Sequence, residues 1–213
     1  MKKIRIAIQR NGRLTNGSIE CLRALGLRFG VDTKRLICAC SNYNAEIVLL
    51  RDDDIPEFIA AGLVDFGIVG RNIILESGQK FQLIDSLGFG RCSLVLAAPG
   101  SAGINKLSDF NGQTIATSYP RILGEYLKKK DIQARIVVMS GSVEAAPALG
   151  LSDAVCDITE TGSSLRANNL RVIDTVLSSE AVLIGGQPSL LKKVNLLNLC
   201  ELLTVEKLAS QVY

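Results

Sequence analysis

The 213-residue sequence predicts an α/β protein of two lobes, the second inserted into the first. Three observations predict it. Short apolar runs that read as strands alternate with runs that read as helices almost throughout, the pattern of βαβ units with mainly parallel sheets. Composition and rhythm change near Gly90–Ser93, where a second set of strands begins. After Asn169 the extended run Leu170–Leu177 and a strand at Ala181–Ile184 read as a return. The expected lobes are residues 1–91 with 176–213, and 92–175, with a cleft between them.

Elements follow in order. Ile4, Ile6 and Ile8 alternate with Arg5, Ala7 and Gln9 and predict the first strand. The basic turn Arg10-Asn11-Gly12-Arg13-Leu14 comes next, then a helix from about Ser18 with Ile19, Leu22 and Leu25 on one face. Leu36–Cys40 and Glu46–Leu50 read as strands. Arg51-Asp52-Asp53-Asp54 leads into Ile55-Pro56, with Asp54 the expected N-cap of a helix that stops at Gly62. Leu63–Arg71 holds a buried strand in which Gly67 implies close approach by another segment or a ligand. A helix starts at Ile73–Glu76, and Gln82–Leu87 and Ser93–Ala98 are apolar strands. Beyond them come a helical turn at Leu107–Phe110, a strand at Thr114–Thr117, a helix from Ser118–Arg121 and a strand at Ala134–Met139. Val143–Leu149 carries a helix pattern ending at Gly150, and Ala154–Ile158 a buried strand. Two helices are expected in the tail, Ser189–Leu203 and Thr204–Val212.

Composition excludes several function classes. Hydrophobic residues make up 47% and mean hydropathy is +0.27, which argues for a packed core and against disorder. A net charge of +3 is too small to propose a nucleic-acid footprint. With no histidine in the chain, His triads, His metal ligands and His general bases are out; catalysis falls to carboxylates, cations, backbone dipoles or a bound ion. The six cysteines form no CxxC pair and read as small buried hydrophobes of a reducing compartment. The basic N-terminus has too interrupted an apolar run for a signal peptide, and no stretch has transmembrane length. A soluble cytoplasmic protein, engaging neither membrane nor nucleic acid, is expected.

The richest stretch is Ser140–Asn169. Its strand runs into Thr159-Glu160-Thr161-Gly162-Ser163-Ser164 and a new helical turn. Strand, glycine-bearing loop and helix start form the geometry in which backbone N–H groups converge on an anion. Thr161, Ser163 and Ser164 add hydroxyl donors. Asp157, just upstream, would repel phosphate but accept hydrogen bonds from sugar hydroxyls, so the pair suits a phosphorylated sugar. Such loops also serve merely as helix caps. Arg10 and Arg13, at the carboxyl end of the first strand, stand where open α/β sheets bind ligands; a solvated turn explains them equally well.

Six blocks then carry a resemblance along almost the whole chain. They are Asn11-Gly12-Arg13-Leu14, Arg51-Asp52-Asp53-Asp54-Ile55-Pro56, Gly62–Gly70, Ala116-Thr117-Ser118-Tyr119-Pro120, Gly141–Glu144 with Ala146-Pro147, and Asp157–Gly162 with Leu165-Arg166-Ala167-Asn168. In this order and spacing the chain resembles the ATP phosphoribosyltransferases that open histidine biosynthesis. The resemblance implies a fold like that of two-lobed periplasmic binding proteins. It implies attack by adenine N1 of ATP on ribose C1 of phosphoribosyl pyrophosphate, with release of pyrophosphate and with magnesium on that group. Adenine N1 is already a free lone pair, so no histidine base is needed, and the protein's task is positioning and charge stabilisation.

By this resemblance Thr161, Gly162, Ser163 and Ser164 hold the 5′-phosphate, and Thr159 belongs to the same substrate-binding set. Asp157 takes the ribose hydroxyls, with Glu144 as a helper. Arg10, Gly12, Arg13 and Arg51 serve the pyrophosphate or the ATP phosphates, and Glu160 turns toward the ribose or the metal. Arg13, read as a surface ligand, is expected to leave the melting temperature nearly unchanged when replaced by alanine. Longer members carry a C-terminal histidine-binding domain. This chain looks like the short form, which implies a separate regulatory subunit resembling histidyl-tRNA synthetase, a mixed oligomer and self-association. The competing class is a non-enzymatic protein of the same fold that binds a sugar phosphate or nucleotide.

Overall fold

The computed structural model describes residues 3–32 and 34–186, so the two tail helices expected from sequence lie outside the described residues. These residues form two compact units, 3–90 with 180–186 and Arg91–Ser179.

The first unit contains β1 (Ile4–Gln9), α1 (Thr15–Ala24), β2 (Ile37–Ala39), β3 (Ala45–Leu50), α2 (Ile55–Ala60), β4 (Phe66–Gly70), α3 (Arg71–Ser77) and β5 (Gln82–Ser86). The second contains β6 (Cys92–Pro99), β7 (Thr114–Thr117), α4 (Pro120–Lys129), β8 (Arg135–Val138), β9 (Ala154–Thr159), α5 (Ser163–Ala167) and β10 (Leu170–Ser179). The chain then returns to the first unit as β11 (Ala181–Gly185).

In the first unit the strands lie in the order β2-β3-β1-β4-β11-β5. β1 is parallel to β3 and β4, while β2 runs antiparallel to β3, and β11 to both β4 and β5. Every residue of β4 and β11 is buried, as expected of strands covered on both faces. Ile6, Ile8, Ile47, Leu49, Phe66 and Ile68 fill the core. Gly67 meets the close approach expected of it: a Cβ there would lie 2.6 Å from Ile55 Cγ2 and 2.7 Å from Ile59 Cδ1, so the approaching segment is α2.

The second sheet has the order β10-β6-β9-β7-β8. Alternation along β6 divides its core. Leu94, Leu96 and Ala98 pack with Phe110, Ile115 and Leu123; Val95 and Ala97 pack with Val143, Val155 and Leu165 on the other face. β7 is parallel to β8 and β9, whereas β6 is antiparallel to both β9 and β10.

Several expectations are corrected. The sheets are mixed rather than mainly parallel, because β6, β10 and β11 are reached by chain excursions that need no βαβ crossover. The return begins at Glu180, not 176. β10 keeps its ladder with β6 from Leu170↔Pro99 to Ser179↔Cys92, and the ladder holds the whole strand in the second unit. Val143–Leu149 is not a helix; only Val143–Ala145 forms a 3-10 turn. Ser142 before it is left-handed at φ 51°, and Pro147 has no N–H to continue the turn. Asp54 does stand at the N-cap position of α2, as expected, but its side chain does no capping. Asp52–Asp54 is itself a 3-10 turn with Arg51 at its start. α1 begins at Thr15, earlier than the expected Ser18.

Candidate active site

Two clusters of predicted residues form, one in each unit. In the second unit, β9 delivers Asp157 and Thr159 to the mouth of the anion loop. Gly162 stands at the N-cap of α5 with φ 74°, a left-handed conformation that glycine adopts without strain. Its N–H donates to Thr159 Oγ1 at 2.8 Å, which closes the loop on itself. Thr161 donates to Ser163 Oγ at 3.2 Å, and Thr161, Ser163 and Ser164 are all exposed. The opening N–H groups of a helix have no intrahelical partner. Thr159 and Gly162 therefore shape the loop, while the three exposed hydroxyls and the first-turn N–H groups are the polar groups it presents. Glu160 is exposed at the loop's outer edge.

Asp157 is the electrostatically unusual group. Burial raises its carboxyl to about 6; the Ile158 N–H, donating to Oδ1 at 2.8 Å, pulls against this, and the nearby Glu144 charge adds to the rise. The 3-10 turn carries Glu144 to that position. The structure thus pairs the two acids chosen from sequence. Thr117, fully buried at the end of β7, donates from Oγ1 to the Cys156 carbonyl at 2.7 Å and accepts from Tyr119 N–H at 2.9 Å. It ties the end of β7 to the residue before Asp157.

In the first unit the parallel ladder pairs Gln9 with Leu50, and Arg10 N–H donates to the Leu50 carbonyl at 2.7 Å. Arg10 and Arg51 therefore leave adjacent strands at the same end of the sheet. Arg13 joins them differently: its guanidinium donates to the Gly90 carbonyl and lies beside Gly70 at the end of β4. Arg51 faces three acids, among which Asp53 has a raised carboxyl pKa, first from burial and then from Asp52 and Asp54, with Arg51 opposing.

Sequence reasoning missed Gln9. It is buried, its Oε1 accepts the Leu14 N–H at 2.8 Å, and a Cβ on Gly12 would sit 2.5 Å from its Nε2. Gly12, at φ 143°, thus packs on Gln9 and fixes the turn carrying Arg10 and Arg13. The available signal was a polar residue closing an otherwise buried strand. Among the described residues no group of three or more acids and cysteines is placed to hold a metal, and no helix is long and apolar enough to cross a membrane.

The family model for ATP phosphoribosyltransferase, HisG, matches residues 51–205. The chain belongs to that family. An ATP phosphoribosyltransferase of Maricaulis maris is 42% identical over 188 residues, which are 85% of this chain and 64% of the relative. One of Bacteroides thetaiotaomicron is 43% identical over 184 residues, 86% of this chain and 65% of the relative. The chain thus spans somewhat under two thirds of the length of these family members. Among solved structures, a chain of the ATP phosphoribosyl transferase HisG:HisZ complex from Thermotoga maritima is similar with a TM-score of 0.77 and 27% identity. The match covers 95% of this chain and 98% of that one. The arginine-, lysine-, histidine-binding protein ArtJ of Geobacillus stearothermophilus is similar in fold alone, with a TM-score of 0.63 at 17% identity, covering 100% of this chain and 94% of ArtJ. The family membership and the binding-protein-like fold implied by the sequence blocks both stand.

Proposed function

We propose that this chain is an ATP phosphoribosyltransferase, transferring phosphoribosyl from phosphoribosyl pyrophosphate to N1 of the ATP adenine in the first step of histidine biosynthesis. The observation that carries the reading is the Asp157–Ser164 segment in a member of this family. A half-buried carboxylate is followed at once by a closed loop with exposed hydroxyls and a helix start. On this reading Ser163, Ser164 and Thr161 hold the 5′-phosphate, and Asp157 with Glu144 holds the ribose hydroxyls. As the C1–O bond to pyrophosphate breaks, positive charge develops on the ribose; the two acids stabilise it, and N1 supplies the electron pair of the new bond. Arg10 and Arg51 take phosphate oxygens, and Arg13 holds the turn that presents Arg10.

Magnesium is the expected cofactor. Mg²⁺ usually binds through one or two carboxylates plus substrate phosphates, and Glu160, exposed in the loop beside the ribose acids, is the carboxylate that would supply one. Bound with pyrophosphate, it would neutralise the leaving group. The likeness to a chain of a HisG:HisZ complex supports the short form and a regulatory partner; that this partner resembles histidyl-tRNA synthetase, that the chain self-associates and that it works in the cytoplasm belong to the same proposal.

The test is absorbance-monitored formation of phosphoribosyl-ATP from ATP, phosphoribosyl pyrophosphate and Mg²⁺, with and without the regulatory subunit. Turnover supports the reading. Folded protein that binds phosphoribosyl pyrophosphate but gives no product in either mixture would replace it with the binding-protein alternative.

A further inference from the structure

The second sheet ends on β8, which pairs with β7 and with no other described strand. Its open edge can be read residue by residue. Arg135 N–H donates to the Gln113 carbonyl at 2.8 Å and Met139 N–H to the Thr117 carbonyl at 2.9 Å, so the odd-numbered residues turn their backbone groups inward. In a ladder the residues between them turn theirs outward. Among the described residues, Ile136 and Val138 therefore offer unpaired N–H and C=O groups along the edge.

The same two residues share a side-chain face. Ile136 faces α4, where Gly124 leaves a gap: a Cβ there would lie 3.9 Å from Ile136 Cδ1. A groove of about 590 Å³ runs there, floored by Gly124, Leu127, Ile132 and Ile136 and rimmed by Lys128 and Arg135. Val138, 66% exposed, extends the apolar strip along the strand.

The charge around the groove is one-sided. Among the described residues Lys128, Lys129 and Arg135 form no ion pair. Arg121 is satisfied by Glu125 at 3.3 Å, Lys130 lies over the Tyr126 ring, and Asp131 is the neighbouring acid. Strand addition by a second copy would set this cationic edge against itself, and like charges facing across strands are unfavourable.

We propose that the β8 edge and the α4 groove form a docking surface for an extended, acidic, alternately apolar segment of a partner protein. The segment adds as a strand to β8. Its main chain pairs with Ile136 and Val138, its apolar side chains enter the groove, and its acids meet Lys128 and Arg135. This surface takes no part in the chemistry assigned to the Asp157–Ser164 loop.

The test titrates the full chain against a short fluorescent peptide alternating glutamate and valine, with a lysine–valine peptide as control. Saturable binding of the acidic peptide alone is expected, with slowed hydrogen exchange at the Ile136 and Val138 amides. Val138→Pro removes an outward N–H while sparing the inward ladder, and it should weaken binding at least about tenfold, roughly 1.4 kcal/mol. The double variant Lys128→Glu with Arg135→Glu should do the same, and it carries the test if the proline variant does not fold. Failure of the acidic peptide to bind, equal binding of the basic peptide, or indifference to both variants would overturn the proposal. So would self-association of the wild-type chain that Val138→Pro abolishes, which would assign the edge to a second copy.

Discussion

Burial disfavours ionisation of Asp157, and the charge of the nearby Glu144 adds to it. A carboxylate raised from 3.8 to about 6 carries its proton in the folded state over a range where the unfolded chain has lost it. By linkage its contribution to stability is fullest below about pH 4 and is lost as pH rises toward about 6. On the proposed assignment to the ribose, function runs the other way, since hydroxyls donate best to the ionised form. Affinity for phosphoribosyl pyrophosphate is expected to rise through pH 6, and Asp157→Asn should flatten that rise; calorimetric titration across pH 5 to 8 checks both. An unchanged pH profile in the variant would remove Asp157 from the ribose. Arg13 behaves differently from the surface ligand expected from sequence. Its bond to the Gly90 carbonyl is charge-assisted, so Arg13→Ala should cost about 1.5–3 kcal/mol. Thermal melts of the variant beside the parent chain decide this, and an unchanged melting temperature would return Arg13 to the surface.

At the scale of elements, the arginine cluster exists because β1, β3 and β4 run parallel and end together. Gln9, Leu50 and Gly70 close these strands, and Arg10, Arg51 and Arg13 collect there. The close seat of α2 on Gly67 keeps β4 in that array. Gly67→Val would drive two methyls into Ile55 and Ile59, and overpacking of this kind costs about 1–3 kcal/mol. The expected outcome is a lowered urea midpoint with an unchanged slope; a neutral variant would mean that α2 yields easily. Thr117 plays the matching part in the second unit, clasping the Cys156 carbonyl one residue before Asp157. The strand positions were legible because apolar runs bounded by glycine and proline mark strands well. Which strands would pair was not legible. Nothing local to Leu170–Ser179 says that it will ladder antiparallel with Cys92–Pro99.

For the whole molecule, the inserted second unit makes the chain cross twice, at Gly90–Arg91 and Ser179–Glu180. On the short-form reading, histidine acts through the regulatory subunit, so histidine should inhibit the reconstituted mixture and leave the isolated chain's turnover unchanged. Initial rates with and without the subunit check this, and inhibition of the chain alone would sink the reading. The sequence by itself determined the α/β class, the inserted organisation, the family and the strand, glycine loop and helix start at Ala154–Ala167. These rest on periodicity, on glycine and proline punctuation, and on motif order, all local in the chain. Tertiary structure decided the rest: the mixed sheet topology, the return at Glu180, the closing of the loop by Thr159 and the tie from Arg13 to Gly90. It also decided the buried seat of Gln9 and the raised carboxyl of Asp157. Each of these depends on burial or on a partner brought in by strand pairing, and neither is written in the spacing of the residues themselves.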